Sequence, residues 1–174
     1  MINISGYNIV EKIYEGKKVV LYKGREVGSE RKVLLKFLRE EYPPLSDIAR
    51  LQHEYDISKK ITSTSIVKVY KVEEFQRMPV LVLEDFDGES LQNLLKGLKK
   101  IPLMTFLQLG IQLAEALSDI YNSSVIHKDI NPNNIIVNMS TGITKITDFG
   151  IASLLSNERK GMTSVQLLEG TIHY

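Results

Sequence analysis

The sequence predicts an α+β fold in two parts: an antiparallel five-stranded sheet with one helix, then a mainly helical second part. Three observations predict it. Residues 7–14, 19–25 and 32–38 are rich in Val, Ile, Leu and Tyr. The turn-like stretches Glu15-Gly16-Lys17-Lys18 and Glu26-Val27-Gly28-Ser29-Glu30 separate them, so two hairpin connections follow one another. A helix over 44–61 precedes two further strands at 66–74 and 80–85, with Gln76-Arg77-Met78-Pro79 as their turn. After Gly88 the pattern turns helical, short over 90–95 and long over 103–121.

Composition bounds the rest. The 174 residues are 43% hydrophobic and 25% charged, enough apolar content to bury a core of one domain or two small lobes. Lys and Arg number 22 against 21 acids, a net charge of +1, which gives no reason to expect a nucleic-acid partner. The chain has no cysteine, hence no disulfide framework or thiolate metal site. Met1-Ile2-Asn3-Ile4-Ser5 shows no leader pattern. No apolar run approaches the roughly 20 residues of a membrane helix. A cytoplasmic location without membrane insertion is the expectation.

Within the first part, Gly16 reads as a turn glycine. Lys36 lies in Val33-Leu34-Leu35-Lys36, a polar residue inside an apolar strand. It is either a lysine on the solvent face of a half-buried strand or one that needs an acidic partner inside. The following helix supplies such a partner. Pro43-Pro44 can open it and Ser46 is its expected N-cap. Ile48, Leu51, Tyr55 and Ile61 recur near the helical period, placing Glu54 near the edge of their stripe. Val80-Leu81-Val82-Leu83 lacks alternation, so both faces of that strand are expected to be covered. It runs into the acidic stretch Glu84-Asp85-Phe86-Asp87-Gly88. In the long helix, Phe106, Leu109, Gly110, Leu113, Leu117 and Ile120 make one apolar face, with Glu89 and Asp119 read as solvated charges.

The chain is organised around Val125-Ile126-His127-Lys128-Asp129-Ile130-Asn131-Pro132-Asn133-Asn134-Ile135-Ile136-Val137, followed by Ile146-Thr147-Asp148-Phe149-Gly150. It reads as a short strand, a tight polar loop, a strand pair and a turn. Taken singly, His127 is a core histidine and Asp129, Asn131 and Asn134 are turn residues. Taken together, a carboxylate, a carboxamide and a second carboxylate suit Mg²⁺ on phosphates, with one Asp left for a hydroxyl proton.

In order and wording this stretch resembles the catalytic loop His-Arg-Asp-x-x-x-x-Asn and the Asp-Phe-Gly motif of the protein kinases, and the resemblance extends over residues 7–174. It implies a kinase N-lobe and hinge over 1–86 and a partial C-lobe over 87–174, with ATP and Mg²⁺ as cofactors. It implies transfer of the γ-phosphate to a serine or threonine hydroxyl of a protein, with another part of its own chain among the candidates. Asp129 then serves the substrate hydroxyl, and Asn134 and Asp148 hold the metal. Lys36, paired with Glu54, holds the α- and β-phosphates. Gly16 belongs to the phosphate-covering loop, Leu21 and Ile136 sandwich adenine, and Leu83 lies behind it. The backbone at Glu84 and Phe86 bonds adenine, while His127 and Phe149 pack in the core linking the lobes.

In its wording the chain is similar to kinase-like modules at the front of large bacterial multi-domain signalling proteins. It departs from the kinase pattern at several places. Tyr14 and Val19 stand where two of the three loop glycines belong, Leu34 replaces a small residue above adenine, Lys128 replaces arginine, and Asn131 stands in place of lysine. Residues 151–170 resemble an activation segment with Thr163 and Ser164 as candidate phosphorylation sites, and Gly170-Thr171-Ile172-His173-Tyr174 resembles its closing motif. The expectation is a fragment whose transfer activity is weak or absent alone. Three alternatives stay open: a nucleotide-binding pseudokinase, a small-molecule phosphotransferase of the aminoglycoside or choline type, and a structural remnant.

Overall fold

Strands β1 (Tyr7–Glu15), β2 (Val19–Glu26) and β3 (Lys32–Leu38) form from the Val-, Leu- and Tyr-rich runs at the start of the chain. Helix α1 (Leu45–Ser58) follows, then β4 (Val69–Phe75) and β5 (Met78–Glu84). The five strands pair antiparallel in the order β1-β2-β3-β5-β4. The computed structural model describes residues 4–29, 31–97 and 100–156. They divide into two units, one made of Met1–Tyr55 with Lys68–Phe86, the other of Asp56–Val67 with the chain from Asp87 onward. The segment Asp56–Val67 thus belongs to the second unit, although the first flanks it in sequence on both sides.

In the first unit, period-2 alternation along β3 sends Val33, Leu35 and Phe37 to one face, where they meet Val80 and Val82 of β5 and Ile4 and Tyr7. Phe37 makes edge-to-face contacts with Tyr22 and Phe75, at centroid distances of 5.6 and 5.7 Å. Lys36 points to the opposite face, toward α1. Val80 through Leu83 are all buried, as the unbroken apolar run requires.

Three local expectations are corrected. The β4–β5 turn has two residues, not four: Gln76 and Arg77 both adopt positive φ, 51° and 65°, while Met78 and Pro79 belong to β5. Positive φ at both central positions matches the right-handed twist of the strands, which is why so short a connection closes the hairpin. Ser46 lies inside α1 and not at its N-cap. The Pro44 carbonyl accepts from the N–H groups of Asp47 and Ile48, and Asp47 in the first turn bonds Lys18 Nζ at 2.7 Å. The helix stops at Ser58, short of Ile61, because Lys60 and Ile61 turn back onto the carbonyls of Ile57 and Ser58.

The second unit contains β6 (Glu89–Ser90), α2 (Leu91–Gly97), α3 (Leu103–Asn122), β7 (Val125–Ile126), β8 (Ile135–Asn138), β9 (Ile143–Ile146) and β10 (Ser153–Leu154). Strands β6, β8 and β9 form a small sheet, and β7 pairs with β10. Segment 65–67 runs alongside the end of β9, exchanging backbone bonds with Ile146 on both sides.

The apolar face expected on α3 is only partly the buried one. Leu109, Ala116 and Ile120 are buried and Leu113 packs beside them, but Phe106 is 60% exposed and Leu117 42%. The helix is apolar on more than one side, with Leu103, Met104, Leu107, Ile111 and Tyr121 also exposed. Hydrophobic period alone therefore does not select the stripe; packing against Ile135, Val137 and Val125 does. Asp119 is half-buried, not solvated, and accepts a hydrogen bond from Ser63 Oγ at 2.5 Å. Among the described residues, no helix is long and apolar enough to cross a membrane.

The strain in the Gln76-Arg77 turn gives a test. Replacing the pair with Asn-Gly, which adopts this turn at little steric cost, should add about 1 kcal/mol. In a chain of this size that is a rise in Tm of about 2–4 °C. An unchanged or lower Tm would contradict the turn geometry.

Candidate active site

The first unit holds one set of the candidate residues. Leu21, Lys36 and Leu81 stand in register across β2, β3 and β5, so the three share a face of the sheet. From α1, Glu54 reaches this face and its Oε2 lies 2.6 Å from Lys36 Nζ. Glu54 sits in the middle of the buried stripe of α1, not at its edge: it is 2% exposed, between Leu51 and Ile57. Lys36 is 7% exposed, so the solvent-face alternative does not hold. Both charges are withdrawn from water and survive there through contact with each other.

Gly16 occupies the β1–β2 turn. Its N–H donates to the Val19 carbonyl at 2.9 Å and its carbonyl accepts from Arg39 Nη1 at 3.3 Å. Its φ lies outside the positive range; what the missing Cβ leaves room for is the Tyr14 ring, whose hydroxyl would lie 2.5 Å from it. Glu84 ends β5, with its N–H donated to the Lys68 carbonyl at 2.9 Å and its carboxylate accepting from Lys68 N–H at 3.2 Å. Phe86 is the last residue of the first unit and is half-buried.

The second unit holds the loop between β7 and β8. His127 is buried at its start. Its Nε2 lies 3.0 Å from the Thr147 carbonyl and its Nδ1 accepts the Asp129 N–H at 3.2 Å. A ring that donates at one nitrogen and accepts at the other is neutral imidazole with its proton on Nε2. Burial pushes the His127 pKa below the ordinary 6.5, against the raising effects of the Thr147 bond and of Asp148 and Asp129. The ring also packs on Phe149 at a centroid distance of 4.7 Å, and Phe149 lies in a core with Ile57, Ile66, Ile120 and Ile146.

The Asp129 carboxylate is held by two amides. Asn131 Nδ2 donates to its Oδ1 and Asn134 Nδ2 to its Oδ2, each at 3.0 Å. Both amides also reach the Asp129 main-chain carbonyl, at 3.3 and 2.9 Å. With its nitrogen so occupied, Asn134 is left with its side-chain oxygen, a hard ligand, for other use. Lys128, just before, adopts a φ of +68°.

Asn134 leads into β8, and Ile136 on that strand faces away from the buried pair Ile135 and Val137. The β8–β9 turn is closed by Gly142 at φ +72°, and Gln112 of α3 grips the hairpin at two points. Its Nε2 donates to the Gly142 carbonyl and its Oε1 accepts Thr144 N–H, both at 2.8 Å. Thr147 N–H bonds the Asn134 carbonyl at 3.0 Å, which brings Asp148, at φ +69°, next to the loop. That left-handed backbone costs a non-glycine residue on the order of 1 kcal/mol or more. Thr163, Ser164 and the closing stretch 170–174 lie outside the described residues.

Sequence reading missed the mutual arrangement within the loop. Asn131 appeared there as a turn residue and as a lost cation, not as a partner of Asp129, yet it is buried and bonded to Asp129. The signal was the run Asn131-Pro132-Asn133-Asn134, in which the first Asn closes a turn on the N–H two residues ahead, at 2.9 Å. Gln112 carried no signal, since its partners are backbone groups 30 or more residues away.

A sheet with a lysine–glutamate pair, joined to a unit holding an Asp–Asn loop and an Asp-Phe-Gly turn, defines a protein kinase domain. Comparison with known proteins agrees: the protein kinase domain family model matches residues 7–174, and the chain belongs to that family. It is 31% identical over 169 residues to a probable serine/threonine-protein kinase of Clostridium acetobutylicum, covering 97% of this chain and 25% of that protein. It is 28% identical over 173 residues to serine/threonine-protein kinase PrkC of Bacillus subtilis, covering 98% and 26%. Serine/threonine-protein kinase 36 of Pongo abelii is 31% identical over 160 residues, covering 92% and 12%. The chain spans about a quarter of the length of the two bacterial relatives. It classifies as a serine/threonine protein kinase domain, and family membership carries with it the use of ATP and Mg²⁺.

Two predictions follow from the buried groups. Lys36→Met strands the Glu54 carboxylate and should cost about 3–5 kcal/mol in denaturant unfolding, whereas Lys36→Met with Glu54→Leu should recover most of it. Equal loss in the double variant would show that the pair is not coupled. For His127, the folded state holds its proton less well than the unfolded chain. Its contribution to stability is therefore complete above pH 6.5 and falls as pH drops below it, by at most about 1.4 kcal/mol per unit. Wild type should lose stability relative to His127→Gln between pH 7 and pH 5; parallel curves would refute the buried neutral imidazole.

Proposed function

We propose that this domain transfers the γ-phosphate of Mg²⁺-ATP to a serine or threonine hydroxyl of a protein, as part of a signalling chain. The observation that carries the reading is the Asp129 carboxylate, held at 3.0 Å by both Asn131 and Asn134 and fixed beside the Asp148 turn by the His127–Thr147 bond. In this reading Asp129 accepts the hydroxyl proton as the new P–O bond forms. The bond from the γ-phosphorus to the bridging oxygen breaks, and ADP leaves. Lys36, braced by Glu54, holds the α- and β-phosphates. In the same reading Leu21 and Ile136 are the apolar residues assigned to adenine, Gly16 belongs to the loop assigned to the phosphates, and Glu84 and Phe86 offer backbone groups to the base. Because the Glu84 N–H is bonded to Lys68, its share falls to the carbonyl.

The donor set fits magnesium. Among the described residues no group of three or more His, Cys, Asp or Glu is placed to hold a metal ion. Magnesium takes one or two side-chain oxygens and completes its shell with phosphate and water. Asn134 Oδ1 and the Asp148 carboxylate are those oxygens, and the ion would neutralise charge on the β- and γ-phosphates. Such chemistry belongs in the cytoplasm, where ATP is supplied.

One observation favours a second reading, a nucleotide-binding module that regulates a partner without transferring phosphate. The Gly16 N–H is spent inside its own turn, and no cation accompanies Asp129 from position 131. Asp129→Asn separates the two, since a regulatory module would keep its output and a kinase would lose transfer by several orders of magnitude.

Binding is tested first. At about 100 times its dissociation constant, Mg²⁺-ATP should stabilise the chain by about 2.7 kcal/mol in thermal unfolding. Asp148→Ala should abolish the metal-dependent part of the shift. A folded protein with no shift would refute nucleotide binding by this chain.

A further inference from the structure

The two amides on Asp129 differ in what else they do. Asn134 immediately precedes β8 and its carbonyl accepts the Thr147 N–H, so it is tied to the hairpin as well as to the loop. Asn131 is bonded within the loop. It is 5% exposed, and its Oδ1 accepts the Asn133 N–H at 2.9 Å. Its main-chain carbonyl accepts the Asn134 N–H, also at 2.9 Å. Its Nδ2 is then aimed at the Asp129 main-chain oxygen and at Oδ1. Carbonyl and amide ends being both engaged, the Asn131 side chain has one orientation, and that orientation fixes one edge of the carboxylate.

We infer that Asn131 is a positioning residue for Asp129 in the transfer step, an inference that rests on the kinase reading above. A carboxylate oxygen offers two acceptor directions, and the Asn131 amide takes one on Oδ1 as the Asn134 amide takes one on Oδ2. The carboxylate can then neither rotate about its Cβ–Cγ bond nor swing toward the loop backbone, whose oxygen the same amides occupy. The amides thus limit the directions from which a substrate hydroxyl can approach. Asn131 does this with a neutral donor, so it adds direction without adding charge. Misplacing a catalytic group by an ångström lowers a rate by up to about 100-fold, so the effect of removing such a clamp falls on the chemical step.

The test is steady-state autophosphorylation by the full natural chain with Mg²⁺-ATP, comparing wild type, Asn131→Ser, Asn131→Asp and Asp129→Asn. Serine retains an oxygen for the Asn133 N–H but is too short to reach Asp129; aspartate retains shape and acceptor while losing the donor, and serves if the serine variant folds poorly. The expected result is a fall in kcat of about tenfold or more in both Asn131 variants, with KM for ATP within about twofold of wild type. Unchanged kcat, or a KM that rises in proportion as kcat falls, would overturn the assignment and leave Asn131 as a turn residue. Transfer that persists in Asp129→Asn, or is absent from wild type, would instead overturn the kinase reading and the assignment with it.

Discussion

The loop at the centre of the second unit depends on how Asp129 is held. The loop from His127 to Asn134 has no helix or strand of its own, so its polar groups must find partners among themselves. They do so around this one residue. His127 takes its N–H, Asn131 and Asn134 take its carboxylate and carbonyl, and Asn134 in turn accepts from Thr147. Gln92 N–H closes the outer side of the loop on the Pro132 carbonyl. In such a ring each member serves another, so removing one takes a hydrogen bond from its partner, at a cost of about 1–3 kcal/mol. The same bonds that order the loop also aim the carboxylate.

The first unit solves a different problem by opposite means. Lys36 and Glu54 are fully charged groups placed where water does not reach, and burying them gains little: desolvation offsets most of their attraction, and apolar side chains of similar volume would pack as well. Their presence is explained by position. An ammonium pinned at 2.6 Å by a helix carboxylate stays fixed on the sheet face it shares with Leu21 and Leu81. On the proposed reading, a lysine that holds phosphate needs that fixity. The helix itself is held to the sheet edge at its other end by Asp47 and Lys18.

The parts legible in the sequence were those where a local signal and a distant one coincide. A lysine within an apolar strand and a glutamate on the next helix pointed to each other, and an Asp–Asn loop before Asp-Phe-Gly pointed to its own chemistry. What stayed hidden has physical reasons. Gln76-Arg77 carries none of the Asn or Gly that mark a two-residue hairpin turn, because strand pairing on both sides imposes positive φ on residues that do not prefer it. The buried stripe of α3 could not be chosen from a helix apolar on several sides. Asp119 looked solvated because its partner, Ser63, is 56 residues away. Glu54 looked marginal because stripes are read from apolar residues, and a paired acid within one is invisible to that reading.

The departures from the kinase pattern fall on the two units separately, and on separate steps. In the first unit, the β1–β2 turn is a closed hairpin: Gly16 N–H serves Val19, Tyr14 lies over the glycine, and Arg39 ties down its carbonyl. Such a loop has fewer backbone donors for phosphate than an open glycine run, which on the proposed reading would leave more of the hold on phosphate to Lys36. In the second unit, Asn131 brings an amide where a cation would lower the cost of charge developing in the transition state, a term that acts on rate and not on ground-state binding. On the proposed reading, such a domain keeps candidate groups for Mg²⁺-ATP and for aiming a hydroxyl, while lacking part of the electrostatic stabilisation that would make transfer fast.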